Sequence, residues 1–295
     1  MMAGTESTEA QPAALESGVL GRLNAYATLA AQLDIAGDLV SQRSLCHASL
    51  SSLATDEATC NALLAAELLR HPALDRRAQA AFMIGRLTRA VCLPLAASVL
   101  RDRTVPTPAP DAVEVVAQAV VRRRGDGIAN AVHYNIVFTD VPADQHHRDL
   151  DALSAAFHAQ LVRCFAPVIG QLQRLSGLSP GALWRLVADM VCSAFLHAGQ
   201  HIGDPGEARA IALTATRQPG SPLNNGRSGF QRVSLPNATD PSRTLAERWF
   251  ITRGGCCRWY TSPGGELCTV CVLRKPTEQQ ERLQAFLRKT LTAAP

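Results

Sequence analysis

At 295 residues, 47% hydrophobic and 18% charged, the chain has ordinary globular composition and room for one or two domains of roughly 100–200 residues. A formal net charge of +4 and 5% aromatic residues are too low for a nucleic-acid surface of interleaved basic and aromatic side chains. The start shows no basic segment followed by an apolar run, and no stretch approaches the ~18 apolar residues of a transmembrane segment. A reducing, cytoplasmic setting is therefore expected, and the odd count of nine cysteines argues against a complete set of disulfides.

Residues 1–18 read as a disordered leader. From Val19 to about Val99 the pattern is helical: Ala- and Leu-rich, with apolar residues three and four apart. Arg103–Pro110, "RTVPTPAP", reads as a linker rich in breakers. Two β-leaning runs follow, Val113–Val121 and Val132–Phe138. A hairpin is expected of them, although the first run suits a buried helix equally well.

A helix is expected to open at Asp144 and run to a kink or break at Pro167, with Leu150, Leu153, Phe157, Leu161, Cys164 and Phe165 at helical spacing. The next helix has its ends written in: Ser179 as N-cap, Pro180 at the first position, Gly199 as stop. Arg217–Gly229 reads as a loop. Thr277, with Gln280 three residues on, forms a capping-box pattern before a short helix with the stripe Leu283, Phe286, Leu287 and Leu291.

Most isolated signals read as plain structure. His197 and His201 are four apart, but Gly199 between them predicts a solvated helix end and not a metal pair. His146 and His147 read as a solvated first turn. Cys46, Cys60, Cys92, Cys164 and Cys192 lie singly in apolar contexts, as core cysteines do. Asp189 follows Arg185 by four residues, which predicts an ion pair on the exposed side of its helix. No phosphate-binding loop, dinucleotide fingerprint or nucleophile elbow occurs.

The dense signal is "RGGCCRWYTSPGGELCTVC", Arg253–Cys271: adjacent Cys256 and Cys257, ten residues, then Cys268 and Cys271. A CxxC turn brings two thiolates to one side, and four thiolates without a nearby histidine point to iron–sulfur or tetrahedral zinc. Neighbouring side chains on an extended chain face opposite ways, so the Cys-Cys arm needs a sharp turn, with Gly254 and Gly255 expected to supply it. A two-metal centre relaxes that demand, because its ligands need not converge on one atom. Spacing alone ranks iron–sulfur first, zinc second and a catalytic dithiol or adjacent-cysteine disulfide third. From Pro241 onward nine Lys/Arg face four acids, so the positive excess of the chain lies here. Most of these side chains read as a solvated face; Arg253 and Arg258, flanking the cysteine pair, are the candidates for electrostatic tuning.

This motif resembles the C-terminal iron–sulfur motif of the FhuF-type siderophore-iron reductases. The resemblance covers Cys256, Cys257, Cys268 and Cys271, with Arg253 before the pair, Tyr260 after it, and Pro263 and Gly264 between the pairs. It implies a [2Fe–2S] cluster on those four cysteines in a cytoplasmic ferric reductase, cytosolic or peripheral at the inner face of the cell membrane. The implied substrate is an imported ferric siderophore, commonly a hydroxamate, reduced by one electron. No flavin or nicotinamide motif is present, so an external donor is expected, a ferredoxin or flavoprotein reductase. The alternatives from other classes are a structural zinc module on a helical interaction protein and an iron–sulfur sensor or carrier.

The expected architecture is mainly α with a small β element: the leader, an FhuF-like helical domain over 19–246, and an iron–sulfur module over 247–295. In it a cysteine-rich loop is pinned by a C-terminal helix.

Overall fold

The computed structural model describes residues 18–35, 39–124, 127–142, 146, 149–202, 204–237 and 243–292. The elements are α1 (Val19–Ile35), β1 (Leu39–Ser49), α2 (Leu50–Thr55), α3 (Glu57–Ala66), α4 (Arg76–Asp102), β2 (Val113–Arg124) and β3 (Gly127–Phe138). They continue as α5 (Leu150–Ser176), α6 (Pro180–Ile202), α7 (Pro205–Thr216), β4 (Gly229–Pro236), β5 (Thr244–Thr252) and α8 (Pro276–Thr292). The chain is mainly α, with two small antiparallel sheets and a cysteine loop followed by a terminal helix. Residues 1–17, Asp144 and His147 lie outside the described residues, and with them the expected leader and helix opening.

Helix starts follow local side-chain chemistry. Asp56, Asp75, Asp149 and Asp204 each accept a backbone N–H two or three residues on, opening α3, α4, α5 and α7. Ser179 does the same for α6, as expected, accepting from Ala182 N at 3.3 Å. The terminal helix begins at Pro276, so Thr277 lies inside it and is not its cap.

Other expectations are corrected by packing. α5 runs unbroken through Pro167, and α4 through Pro94. Each has a buried face along its length, with Leu87, Val91, Leu95 and Val99 on α4 and Phe157, Leu161, Phe165 and Val168 on α5. That burial offsets the one hydrogen bond a proline removes. α6 passes Gly199 and stops at Ile202. The glycine serves close approach: a Cβ there would fall 2.6 Å from that of Ala208 on α7. Within the stretch expected to be all helix, Leu39–Ser49 is an edge strand, paired antiparallel with β2 from Leu39↔Arg122 to Ser49↔Glu114. The expected linker is largely buried, and its Thr107 and Pro108 carbonyls accept from Arg163 and Gln160 of α5.

The β2–β3 hairpin forms as expected, in the order β1-β2-β3. Its inner face alternates: Val113, Val115 and Ala117 on β2, then Val132, Tyr134, Ile136 and Phe138 on β3. α1 and α4 contact this sheet, while α4 runs along α6 and α6 along α7 and β5. Phe157 and Phe195 join α5 to α6 edge-on, with ring centroids 5.0 Å apart. α4 and α5 are long and apolar enough to cross a membrane by length and composition, but here much of each is buried in the core. β4 and β5 form a separate hairpin that carries the chain from α7 to the cysteine loop.

Candidate metal centre

The cysteine loop begins where β5 ends, and a buried carboxylate holds its first residues. Asp189 on α6 is 0% exposed and accepts four hydrogen bonds. The donors are Ser228 Oγ at 2.6 Å, Arg253 Nε at 3.1 Å, Gly254 N at 2.7 Å and Gly255 N at 3.0 Å. This replaces the expected pair with Arg185, whose side chain is exposed while Asp189 points inward. Burial pushes the Asp189 carboxyl above its ordinary value, against all four donors. Burial alone would lower the Arg253 guanidinium, but Asp189 and the sulfurs of Cys257 and Cys268 outweigh it and raise it. The donor set decides for an ionised pair: a protonated Asp189 would leave the guanidinium buried with no counter-charge.

Gly254 and Gly255 serve proximity, not unusual backbone angles. A Cβ on Gly254 would lie 2.4 Å from Asn225 Oδ1, and one on Gly255 would lie 2.9 Å from the backbone N of Leu186. The loop is thus pressed onto α6 before the cysteine pair. The turn expected of the glycines is made one residue after the pair, by Arg258 in the left-handed region at φ 61°. Arg258 N then points back at Cys256 Sγ, 3.4 Å away.

The second arm is closed by its own hydrogen bonds. Cys271 N donates to Cys268 O at 3.0 Å, and Arg274 Nε to the same carbonyl at 2.9 Å. Arg274, 4% exposed, also reaches Leu267 O and pairs with Glu278 on α8. It is therefore no solvated tail residue: it ties the CxxC turn to the terminal helix. Leu283 and Leu287 of α8 are buried, and Gln284 Nε2 donates to Ser234 O on β4. Phe286 and Leu291 from the expected stripe stay about half exposed, Phe286 meeting Phe250 edge-on.

Cys257 and Cys268 form a hydrogen-bonded pair. That bond, helped by Trp259 N and Arg253 and opposed by burial, pulls Cys257 below its ordinary value, while Cys268 rises because it holds the shared proton. Cys256 and Cys271 lie within electrostatic reach of the pair. Arg253 Nη1 lies 3.7 Å from Cys268 Sγ, so this arginine touches both the carboxylate and a thiol. Among the described residues no three His, Cys, Asp or Glu side chains converge as one ion would require. Four thiols on one loop suit the chemistry of a binuclear iron–sulfur group and of a tetrahedral zinc alike.

The other cysteines lie apart. Cys60, Cys92, Cys164 and Cys192 are buried and Cys46 is partly so. Burial raises Cys60 to about 11 and Cys164 and Cys192 to about 12, which keeps them as thiols when metal ligation needs thiolates. Replacing any of the four buried ones with alanine should cost about 1–2 kcal/mol and leave the visible spectrum intact, and Cys46→Ala should cost less. Loss of the spectrum in a variant that keeps its helical content would make that cysteine a ligand. His197 and His201 do share a face, their rings 4.6 Å apart, because α6 continues through Gly199. No third ligand type joins them among the described residues.

A cleft of about 510 Å³ opens directly onto the thiols. Its walls are Ala81, Phe82, Gly85, Arg86 and Arg89 on one face of α4, Leu186 and Met190 on α6, and Arg70 and His71 from the turn before α4. Arg253, Cys257, Trp259 and Cys268 close it. The sequence concealed this site, because its residues come from four separate segments. The i, i+3, i+4, i+7 spacing of Phe82, Gly85, Arg86 and Arg89 was the available signal.

Among curated proteins no significant match to the chain is found. Residues 253–273, from the arginine on Asp189 to just beyond the last cysteine, match the family model of the FhuF 2Fe-2S C-terminal domain. By that match the cysteine loop is similar to the FhuF 2Fe-2S C-terminal domain, and the cofactor it indicates is a [2Fe–2S] cluster.

Proposed function

We propose that the protein is a ferric-siderophore reductase whose cluster is held by Cys256, Cys257, Cys268 and Cys271. The observation that supports this most is the cleft of about 510 Å³ with Cys257 and Cys268 in its wall. A chelate in that cleft would stand against the thiols themselves, and electron transfer needs proximity, not a nucleophile or a general acid. When bound, the [2Fe–2S] group supplies one electron at a time, reloaded by an external ferredoxin or flavoprotein reductase. Fe(III) in the chelate, commonly a hydroxamate, takes one electron and becomes Fe(II), which hard hydroxamate oxygens hold far less tightly. The reaction belongs in the cytoplasm, where an imported chelate arrives.

The protein's own residues bind, shield and tune. Phe82, Trp259 and Met190 give the cleft apolar wall, and His71 packs on Trp259 with ring centroids 3.7 Å apart. Arg253 donates to the Cys268 sulfur, and Arg258 N to that of Cys256. Hydrogen bonds and positive charge at the sulfurs favour the more negative, reduced state and so raise the potential.

The two flanking arginines separate in role. Arg253 is buried in the Asp189 pair, whereas Arg258 makes a half-open pair with Asp75 at 3.1 Å. Arg258→Gln should change stability by less than about 1 kcal/mol. A unit charge about 8 Å away in water-like dielectric is worth roughly 0.5 kcal/mol, or about 20 mV for one electron. Voltammetry should therefore show a fall on the order of 20 mV, with salt slowing electron uptake less than in the native protein. An unchanged potential and salt dependence would return Arg258 to a solvated face.

The deciding experiment is anaerobic purification, iron and acid-labile sulfide analysis, then mixing of pre-reduced protein with a ferric trihydroxamate and an Fe(II)-specific chromophoric chelator. One Fe(II) per reduced cluster is expected. A colourless zinc protein would overturn the cluster and the reductase together; a red-brown protein that releases no Fe(II) would leave a sensor or carrier.

A further inference from the structure

The cleft lining carries four guanidiniums, Arg70, Arg86, Arg89 and Arg253, and no carboxylate. Three are held in place by neighbours outside the lining. Arg86 Nε donates to Glu67 at 3.0 Å, and the Tyr134 hydroxyl fixes the other oxygen of that carboxylate at 3.0 Å. Arg253 is fixed by Asp189, and Arg89 Nη1 donates to Ser193 Oγ at 3.2 Å. Arg70 is exposed, at the edge of the same cleft. The lone histidine there stays neutral: burial, then the charges of Arg70 and Arg86, push His71 down to about 4.

We infer that this cleft selects ferric chelates of net negative charge, carrying carboxylate beside hydroxamate, over neutral trihydroxamate complexes. The inference rests on the reductase reading and narrows it. Guanidinium forks match carboxylate oxygens in pairs, and forks fixed before binding lose little entropy on contact. Glu67 and Asp189 already pair with Arg86 and Arg253, so a neutral complex would displace water chiefly from Arg70 and Arg89 and return them no charge-assisted hydrogen bond. The Phe82 and Trp259 rings supply wall for the organic scaffold, so charge is the property left to discriminate one chelate from another.

Gallium(III) complexes test this, because gallium(III) matches iron(III) in charge and size but is not reduced under these conditions. Binding is then read without electron transfer, by tryptophan fluorescence or calorimetry. The probes are the Ga(III) complexes of a citrate-based dihydroxamate, which is anionic, and of a cyclic trihydroxamate, which is neutral. The native holoprotein should bind the anionic complex about tenfold tighter or more. Arg70→Gln and Arg89→Gln should each weaken the anionic complex several-fold and the neutral one less than about twofold, with the visible spectrum unchanged. The exposed Arg70 carries the test if Arg89→Gln does not fold.

Equal affinity for the two complexes would overturn the inference, as would substitutions that weaken both alike. So would variants that shift the midpoint potential while leaving both affinities alone, which would assign the arginines to the cluster. The reductase reading is scored separately by Fe(II) release from the neutral ferric trihydroxamate. Release without charge preference removes the inference alone; no release and no gallium binding remove both.

Discussion

Replacing Asp189 with alanine is expected to lower the unfolding free energy by about 3–5 kcal/mol and to abolish iron retention. The carboxylate is the shared acceptor of Ser228, Arg253, Gly254 and Gly255, and it is fully buried. Its loss leaves a guanidinium that is only 11% exposed without a counter-charge, and two backbone N–H groups without an acceptor. Both amides belong to the residues just before Cys256, so the strand entering the cysteine pair loses its attachment to α6. Asp189→Asn keeps one acceptor oxygen but turns an NH₂ toward donors, and should fall between wild type and alanine. Ser228→Ala removes one donor to Asp189 and the acceptor of Asn225 Nδ2, and should cost about 1–3 kcal/mol with the cluster retained. Denaturant titration with iron and sulfide analysis checks the series. Full iron content and spectrum in Asp189→Ala would show that the latch does not support the centre.

Gly85→Leu is expected to weaken ferric-chelate binding at least tenfold while the visible spectrum stays native. Gly85 lies in the middle of α4 and in the cleft wall, and a Cβ there meets only Met190 Cγ at 4.0 Å, an ordinary contact. The rest of a leucine side chain extends into the space a chelate needs. Helix stability should rise by up to about 1 kcal/mol, since glycine is the poorer helix former. A variant that is more stable, fully loaded with iron and yet poor at reducing chelate separates the cleft from the cluster. Native reduction rates in a well-folded Gly85→Leu would place the substrate elsewhere.

The cysteine motif was legible because residue spacing is a local, covalent property: Cys256, Cys257, Cys268 and Cys271 are set by counting. Caps at Ser179 and the alternation of the β2–β3 hairpin are legible for the same reason. Asp189 was not. The i, i+4 rule offered Arg185, but which side of a helix is buried depends on what packs against it, and the true partner Arg253 is 64 positions away. The strand Leu39–Ser49 was hidden likewise, since its pairing to β2 spans some seventy residues and its own side chains are mostly exposed. The β4–β5 hairpin did leave a signal, the alternation that buries Val233 and Leu235.

By itself, then, the sequence determined the mainly helical class, the four-cysteine spacing and the basic segment around it, since these depend on residues close along the chain. Only the tertiary structure decided that Gly254 and Gly255 are there to touch Asn225 and Leu186, and that Gly199 lets α6 meet α7. It alone gathered Arg70, Arg86, Arg89 and Arg253 around the thiols. Contacts of this kind require distant segments to be closed together against chain entropy, and the summed burial of the whole core, not any local pattern, meets that cost.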